Sequence, residues 1–282
     1  MKKFKIEHTI EKNRDFLPDV KIVGAMLVSR CEDVLNYTIP SLMEVCDWAV
    51  IMFDNSNEVT KHTVYKHKEK YGDRIRLAKS NIKGTTPEEE KEDPRILFSR
   101  FNTLQGAIRD EVFKYFHRCV KRGEQIDMIV WPDSDEVFTD YFPQALEEFW
   151  AYDYKKALAI KPVDVFGDFK TIRHKSMTHH TRVVKYSPDL IALPYRTLCN
   201  YLPHTKEERM AYTRLTIHLA ALTAGKRAWR KKSWRTWIDS SEKLHTLEKD
   251  VRRMSMPEIK AVQDREPDIT AGEYMKKHGL DV

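Results

Sequence analysis

Apolar residues in the first half of the chain fall into short, nearly unbroken runs: Lys21–Ser29, Trp48–Phe53, Arg74–Ala78 and Met128–Trp131. Runs of this length with few polar alternates are the signature of strands buried on both faces. Stretches of helical character separate them. Val34–Val45 is one, with Pro40 expected to kink or restart it; Glu58–Tyr71 is a polar second. The third, Phe98–Val120, places Phe98, Phe101, Leu104, Ile108, Val112 and Phe116 at helical spacing. Strand and helix in alternation predict an α/β fold, a mostly parallel central sheet flanked by helices. An acidic, proline-containing stretch between Asn81 and Leu97 reads as a loop.

Beyond Asp153 the pattern changes. Lys156–Ile160 and Thr181–Lys185 read as further strands, separated by an irregular piece rich in Lys, Arg and His. From Glu207 the chain reads as helical, through Leu215–Thr223 and Arg227–Trp237, giving a helical basic C-terminal region. The tail after Ser240 is charged and helical, punctuated by Pro257 and Pro267. The expected division is an extension over 1–20, an α/β half over 21–153, an acceptor-side and basic region over 154–238, and a charged tail over 239–282.

Composition narrows the class. With 282 residues, 41% hydrophobic and 33% charged, the chain suits one large domain with a heavily ionised surface. A mostly disordered chain and a collagen-like repeat are excluded. The longest stretch without Asp, Glu, Lys or Arg, Leu215–Gly225, is far short of the roughly 18–20 apolar residues of a membrane span. No signal-peptide pattern is read either, so a cytoplasmic protein without stable membrane insertion is expected. Cys31, Cys46, Cys119 and Cys199 are scattered, which indicates neither a disulfide framework nor a thiolate zinc site. Charge is distributed unevenly. Lys155–Arg235 holds 18 basic and 5 acidic residues, net +13, so a chain of total charge +6 carries −7 elsewhere. Such asymmetry fits either an anionic partner or a solvated basic surface.

Candidate chemistry sits where the predicted strands end. An open α/β sheet binds ligands beyond the carboxyl edge of its strands, and the residues there are Ser29-Arg30, Asp54-Asn55-Ser56, Ser80-Asn81 and Asp133-Ser134-Asp135-Glu136. Parallel strands would bring them to one edge with at least three carboxylates, a cluster that repels itself unless cations or donors offset it. A divalent metal is the economical explanation. In an extended segment, Asp133 and Asp135 would face the same way, and hard oxygen ligands favour Mg²⁺ or Mn²⁺, with a nucleoside diphosphate completing the shell.

Asp-x-Asp after a buried strand, an upstream strand ending in Asp54-Asn55-Ser56, an opening Val28-Ser29-Arg30-x-Glu32-Asp33 and a helix carrying Phe98-Ser-Arg-Phe-Asn102 occur in this order. Together they resemble the nucleotide-sugar glycosyltransferases of the GT-A fold, in particular the family 2-like group. The likeness covers roughly residues 20–185, with a continuation to about 237 expected. It departs from the family's Ala-Arg-Asn helix pattern by the inserted Phe101, while Val130-Trp-Pro-Asp-Ser-Asp-Glu136 is close to the family's Asp-Ala-Asp-Glu form.

The resemblance implies a donor that is a nucleoside-diphosphate sugar, UDP-linked by expectation, and a Mn²⁺ or Mg²⁺ cofactor. It implies that Asp54 accepts a hydrogen bond from the base, with Ser29, Arg30 and Asn55 around the same pocket, and that Arg100 reaches a phosphate. Asp133 would contact ribose or metal, and Asp135 would ligate the metal. A third ligand in such enzymes comes from a downstream His. His204, His218 and the His179-His180 pair qualify, and His218 is preferred because Lys226, Arg227, Arg230, Lys231 and Lys232 follow it as diphosphate-binding cations. Asp164 and Asp168 are candidates for the base an inverting enzyme needs.

The acceptor is read from the basic half. Gly225–Trp237 interleaves three tryptophans with six cations, a pattern that suits phosphates and stacked bases, a sugar diphosphate, or amphipathic docking on the core. Three functions stay open: transfer to a hydroxymethylated or glycosylated base in phage-type DNA, transfer to a polysaccharide, lipid-linked glycan or protein, and non-catalytic nucleic-acid binding on the same scaffold.

Overall fold

The computed structural model describes residues 15–28, 32–53, 58–79, 94–165, 171–173, 180–190, 207–219 and 251–253. Four parallel strands form its first half: β1 (Ile22–Val28), β2 (Trp48–Phe53), β3 (Ile75–Lys79) and β4 (Met128–Val130), in spatial order β3-β2-β1-β4. Helices α1 (Glu32–Val45), α2 (Glu58–Tyr71) and α3 (Pro94–Lys121) connect them. β4 is followed by a turn, β5 (Glu136–Phe138) and α4 (Phe142–Ala151). The second half adds β6 (Ala157–Val165), β7 (Thr171–Arg173), β8 (His180–Lys185), β9 (Arg209–His218) and β10 (Val251–Arg253). The sheet runs β10-β7-β6-β8-β4-β1-β2-β3, and β9 joins β5 antiparallel and β6 parallel. Past β4 the other pairings are antiparallel. The architecture is therefore α/β with helices on a parallel half, as the sequence predicts.

The unbroken apolar runs have a simple physical origin. Successive residues of a strand point to opposite faces, and both faces of β1 and β2 are covered. Ile22, Met26, Val28, Ala49, Ile51 and Phe53 enter one core with α1 and α4. Val23, Ala25, Trp48, Val50 and Met52 enter the other, against Ile108, Val112, Phe113 and Phe116 of α3. At the amino edge of the sheet the carboxylates serve the backbone. Asp47 Oδ2 accepts from the Ile22 N–H at 2.8 Å, and Asp127 Oδ2 from the Lys21 N–H at 2.6 Å.

Several local expectations change. α1 runs through Pro40 without interruption. The helical reading from Glu207 is overturned at Arg209–His218, which is the strand β9, and residues 251–253 of the tail are strand rather than helix. Leu215, Ile217 and Leu219 alternate with Thr216 and His218. That is a period of two, and closure against β5 and β6 decides in its favour over the helix-forming alanines that follow. The Arg227–Trp237 segment lies outside the described residues. Among the described residues, no helix is long and apolar enough to cross a membrane.

Candidate functional site

β1 to β4 are parallel, so the chain leaves all four at the same edge. Of the polar groups expected there, Ser29, Arg30, Asp54 and Asn55 lie outside the described residues, while the acidic segment after β4 is described in full. It is a turn rather than an extended piece. The Glu136 N–H donates to the Asp133 carbonyl at 3.0 Å, closing residues 133–136. Asp133 and Asp135 nevertheless stay close, for Asp135 raises the Asp133 carboxyl and His218 lowers it.

Asp133 is held by two guanidiniums. Arg109 of α3 reaches its Oδ1 at 3.1 Å through Nη2, and Arg182 of β8 reaches its Oδ2 at 2.5 Å. Arg182 also forks onto Glu136, Nε to Oε2 and Nη2 to Oε1, both at 2.6 Å. Arg182 and Glu136 are each 1% exposed, so this is a buried, charge-assisted network. The Arg109 guanidinium also lies over the Trp131 ring, 5.5 Å from its centroid. Burial works to raise the Asp133 carboxyl, but Arg182 and Arg109 bring it below its ordinary value. Burial pushes Glu136 up, with Arg182 opposing and Asp133 adding to the rise. Nearby on β8, burial and then Arg182 lower the His180 imidazole to about 4, so it is neutral at neutral pH.

Asp135 lies beside His218. His218 Nε2 of β9 is 3.4 Å from its Oδ1, and both side chains are buried. Two strand pairings fix this approach: β5–β9 sets Glu136 opposite His218, and β6–β9 sets Asp164 opposite the same residue. The Leu219 N–H donates to the Asp135 carbonyl at 2.6 Å, tying the turn to the end of β9. His218 thus reaches the acidic turn as a strand residue, although its sequence context reads as helix.

The structure therefore brings together Asp133, Asp135 and His218, with Asp164 at a register position beside them. Arg100 falls within α3, where its side chain is outside the described residues; Asp168, His179, His204, Arg227 and Arg230 lie outside them altogether. Sequence reasoning missed Arg109 and Arg182 and gave Glu136 no role. The signal was present: Arg182 interrupts the buried strand Thr181-Arg-Val-Val184, and a cation in such a run must carry its counter-charge with it. The two arginines also remove the argument from self-repulsion, because protein groups already offset the carboxylates.

As donors for a metal, Asp135 and His218 supply one oxygen and one nitrogen at adjacent positions, while both oxygens of Asp133 accept from arginine. Among the described residues, no group of three His, Cys, Asp or Glu side chains is gathered to hold an ion.

No family model matches the chain, and no curated protein matches it. Among solved structures, S. aureus TarS 1–349 in complex with UDP-GlcNAc is similar at 15% identity and a TM-score of 0.36, over 52% of this chain and 35% of that one. TarS 1–349 is similar at 14% identity and 0.39, over 62% and 52%, and TarS at 12% and 0.43, over 71% and 36%. The chain thus spans between 35% and 52% of the length of these proteins.

Proposed function

We propose that the chain is a nucleotide-sugar glycosyltransferase of GT-A type that moves a sugar from a UDP-linked donor to a hydroxyl acceptor. One observation carries the reading. An acidic turn leaves the carboxyl edge of four parallel strands and meets His218 from a distant strand, where an α/β sheet binds its ligand. Asp133, oriented by two guanidiniums, presents a carboxylate to the ribose side of the donor. Asp135 and His218 are the protein groups that would hold Mn²⁺ or Mg²⁺, which supplies positive charge beside the leaving diphosphate. The neighbouring arginines keep the site's charge near balance, so a dianionic substrate does not meet an uncompensated acidic cluster. Asp164 and Asp168 are the proposed bases if the reaction inverts configuration.

The basic half suits an anionic acceptor, and a hydroxylated or glycosylated base in DNA is the first choice. Glycans and proteins are the second. The test is release of nucleoside diphosphate from a panel of sugar nucleotides with Mn²⁺ or Mg²⁺, run alone, with ordinary DNA and with hydroxymethylated DNA. Release stimulated only by the modified DNA supports the full reading. Slow release indifferent to DNA keeps the transferase and moves the acceptor to glycans. No release from any donor, with DNA still bound, overturns it in favour of a binding protein.

A further inference from the structure

Arg182 touches the acidic turn and the residue that leads into it. Its carbonyl accepts from the Trp131 N–H at 2.6 Å, just before the turn. Its guanidinium grips Asp133 in the middle and Glu136 at the end. Glu136 in turn accepts from the Asp133 N–H at 3.2 Å, so the acid that fixes the guanidinium also fixes the backbone of the residue it serves. β8 itself is locked in the sheet between β4 and β6. A rigid strand thus reaches under the turn and holds its first carboxylate in one orientation.

The choice of residues is expensive for a fold alone. A fully buried Arg–Glu pair is commonly no more stabilising than well-packed apolar side chains of the same volume. What a bidentate fork supplies is orientation. Asp133 is also less enclosed than its partners: its side chain is 24% exposed, against 1% for Arg182 and 0% for Glu136. Among the described residues, the network is therefore open only at Asp133.

We propose that Arg182, fixed by Glu136, is a positioning residue that holds Asp133 in the orientation that receives the donor. The inference rests on the glycosyltransferase reading and adds to it a residue acting through Asp133. A double-mutant cycle on the full chain separates this from a merely structural role. Arg182→Lys keeps the charge and loses the fork. It is expected to lower kcat/KM for the UDP-sugar by about 10–100-fold, and to weaken UDP binding measured by calorimetry, the same direction expected of Asp133→Asn. Because both act through one carboxylate, the double variant should fall no more than about threefold below Asp133→Asn alone. Glu136→Gln, which loosens the same fork, provides the cycle if Arg182→Lys does not fold. Effects that multiply, in a wild type that turns over a donor, overturn the positioning role and leave the glycosyltransferase standing. A wild type that binds no nucleoside diphosphate and turns over no sugar nucleotide overturns both.

Discussion

Asp135 and His218 meet because β9 closes against β5, and each has a near-isosteric replacement that isolates its chemistry. Asp135→Asn keeps the volume of a buried side chain and removes its charge. Under the proposed function this variant should lose at least about a hundredfold in transfer while melting close to wild type; undiminished transfer would remove Asp135 from the site. His218→Gln should instead weaken the apparent affinity for Mn²⁺, read as a shift in the cation titration of activity. A different residue is fixed by space alone. A Cβ on Gly24 of β1 would lie 2.9 Å from Ala49 Cβ and 3.0 Å from both Cys46 Sγ and Leu42 Cδ1. Gly24→Ala forces strand β2 and helix α1 apart, and should cost about 1–3 kcal/mol in chemical denaturation. The acids were visible as residues in the sequence; their arginine partners were not, since Arg109 and Arg182 lie 24 and 49 residues from Asp133 and only tertiary pairing reveals them.

Elements were legible where one physical cause dominates. β2 and α2 span Trp48–Phe53 and Glu58–Tyr71, as read from pattern alone, because double-sided burial writes a continuous run and a polar helix fills the interval. β5 and α4 were not read, since three residues carry no period and the Pro143 that opens α4 looks like loop punctuation. β9 was misread because its apolar alternation runs into an Ala-rich segment. The α1–α2 contact carries a pH prediction. His67 of α2 is buried and donates through Nε2 to Asn36 Oδ1 of α1 at 3.1 Å. Burial, then Lys70 and Lys66, lower its pKa from 6.5 to about 4. Above about pH 6.5 both folded and unfolded chains hold the ring neutral, so the stability is complete. As pH falls toward about 4 the unfolded chain takes up a proton that the folded one refuses, and stability drops by up to about 1.4 kcal/mol per unit. Below about 4 the loss levels off. Denaturation midpoints at about pH 7.0, 5.5 and 4.5 (set points spanning that window) should show this slope, and His67→Leu should reduce it. His180, lowered in the same direction to about 4, supplies a further share that persists in that variant.

At the scale of the whole molecule, charge is balanced locally before any ligand arrives. Asp133, Asp135 and Glu136 face Arg109, Arg182 and His218 at the junction of α3, β8 and β9 with the turn after β4. Three carboxylates against two guanidiniums and an imidazole are largely offset by protein groups, and from this we expect a fold that stands without a divalent ion. The proposed activity does need one, because a leaving diphosphate brings fresh negative charge that the paired arginines cannot fully meet. Stability and activity should therefore respond differently to metal removal. Exhaustive chelation is expected to abolish transfer, with Mn²⁺ or Mg²⁺ restoring it, while the melting temperature of the nucleotide-free protein moves by less than about 2 °C. A structural ion would behave otherwise, since its binding free energy is folding free energy and its loss would lower the melting point steeply. A chelated protein that both melts early and loses activity would mean that Asp135 and His218 anchor the fold through the ion, and the arginine network would then be a partner to that anchor rather than its substitute.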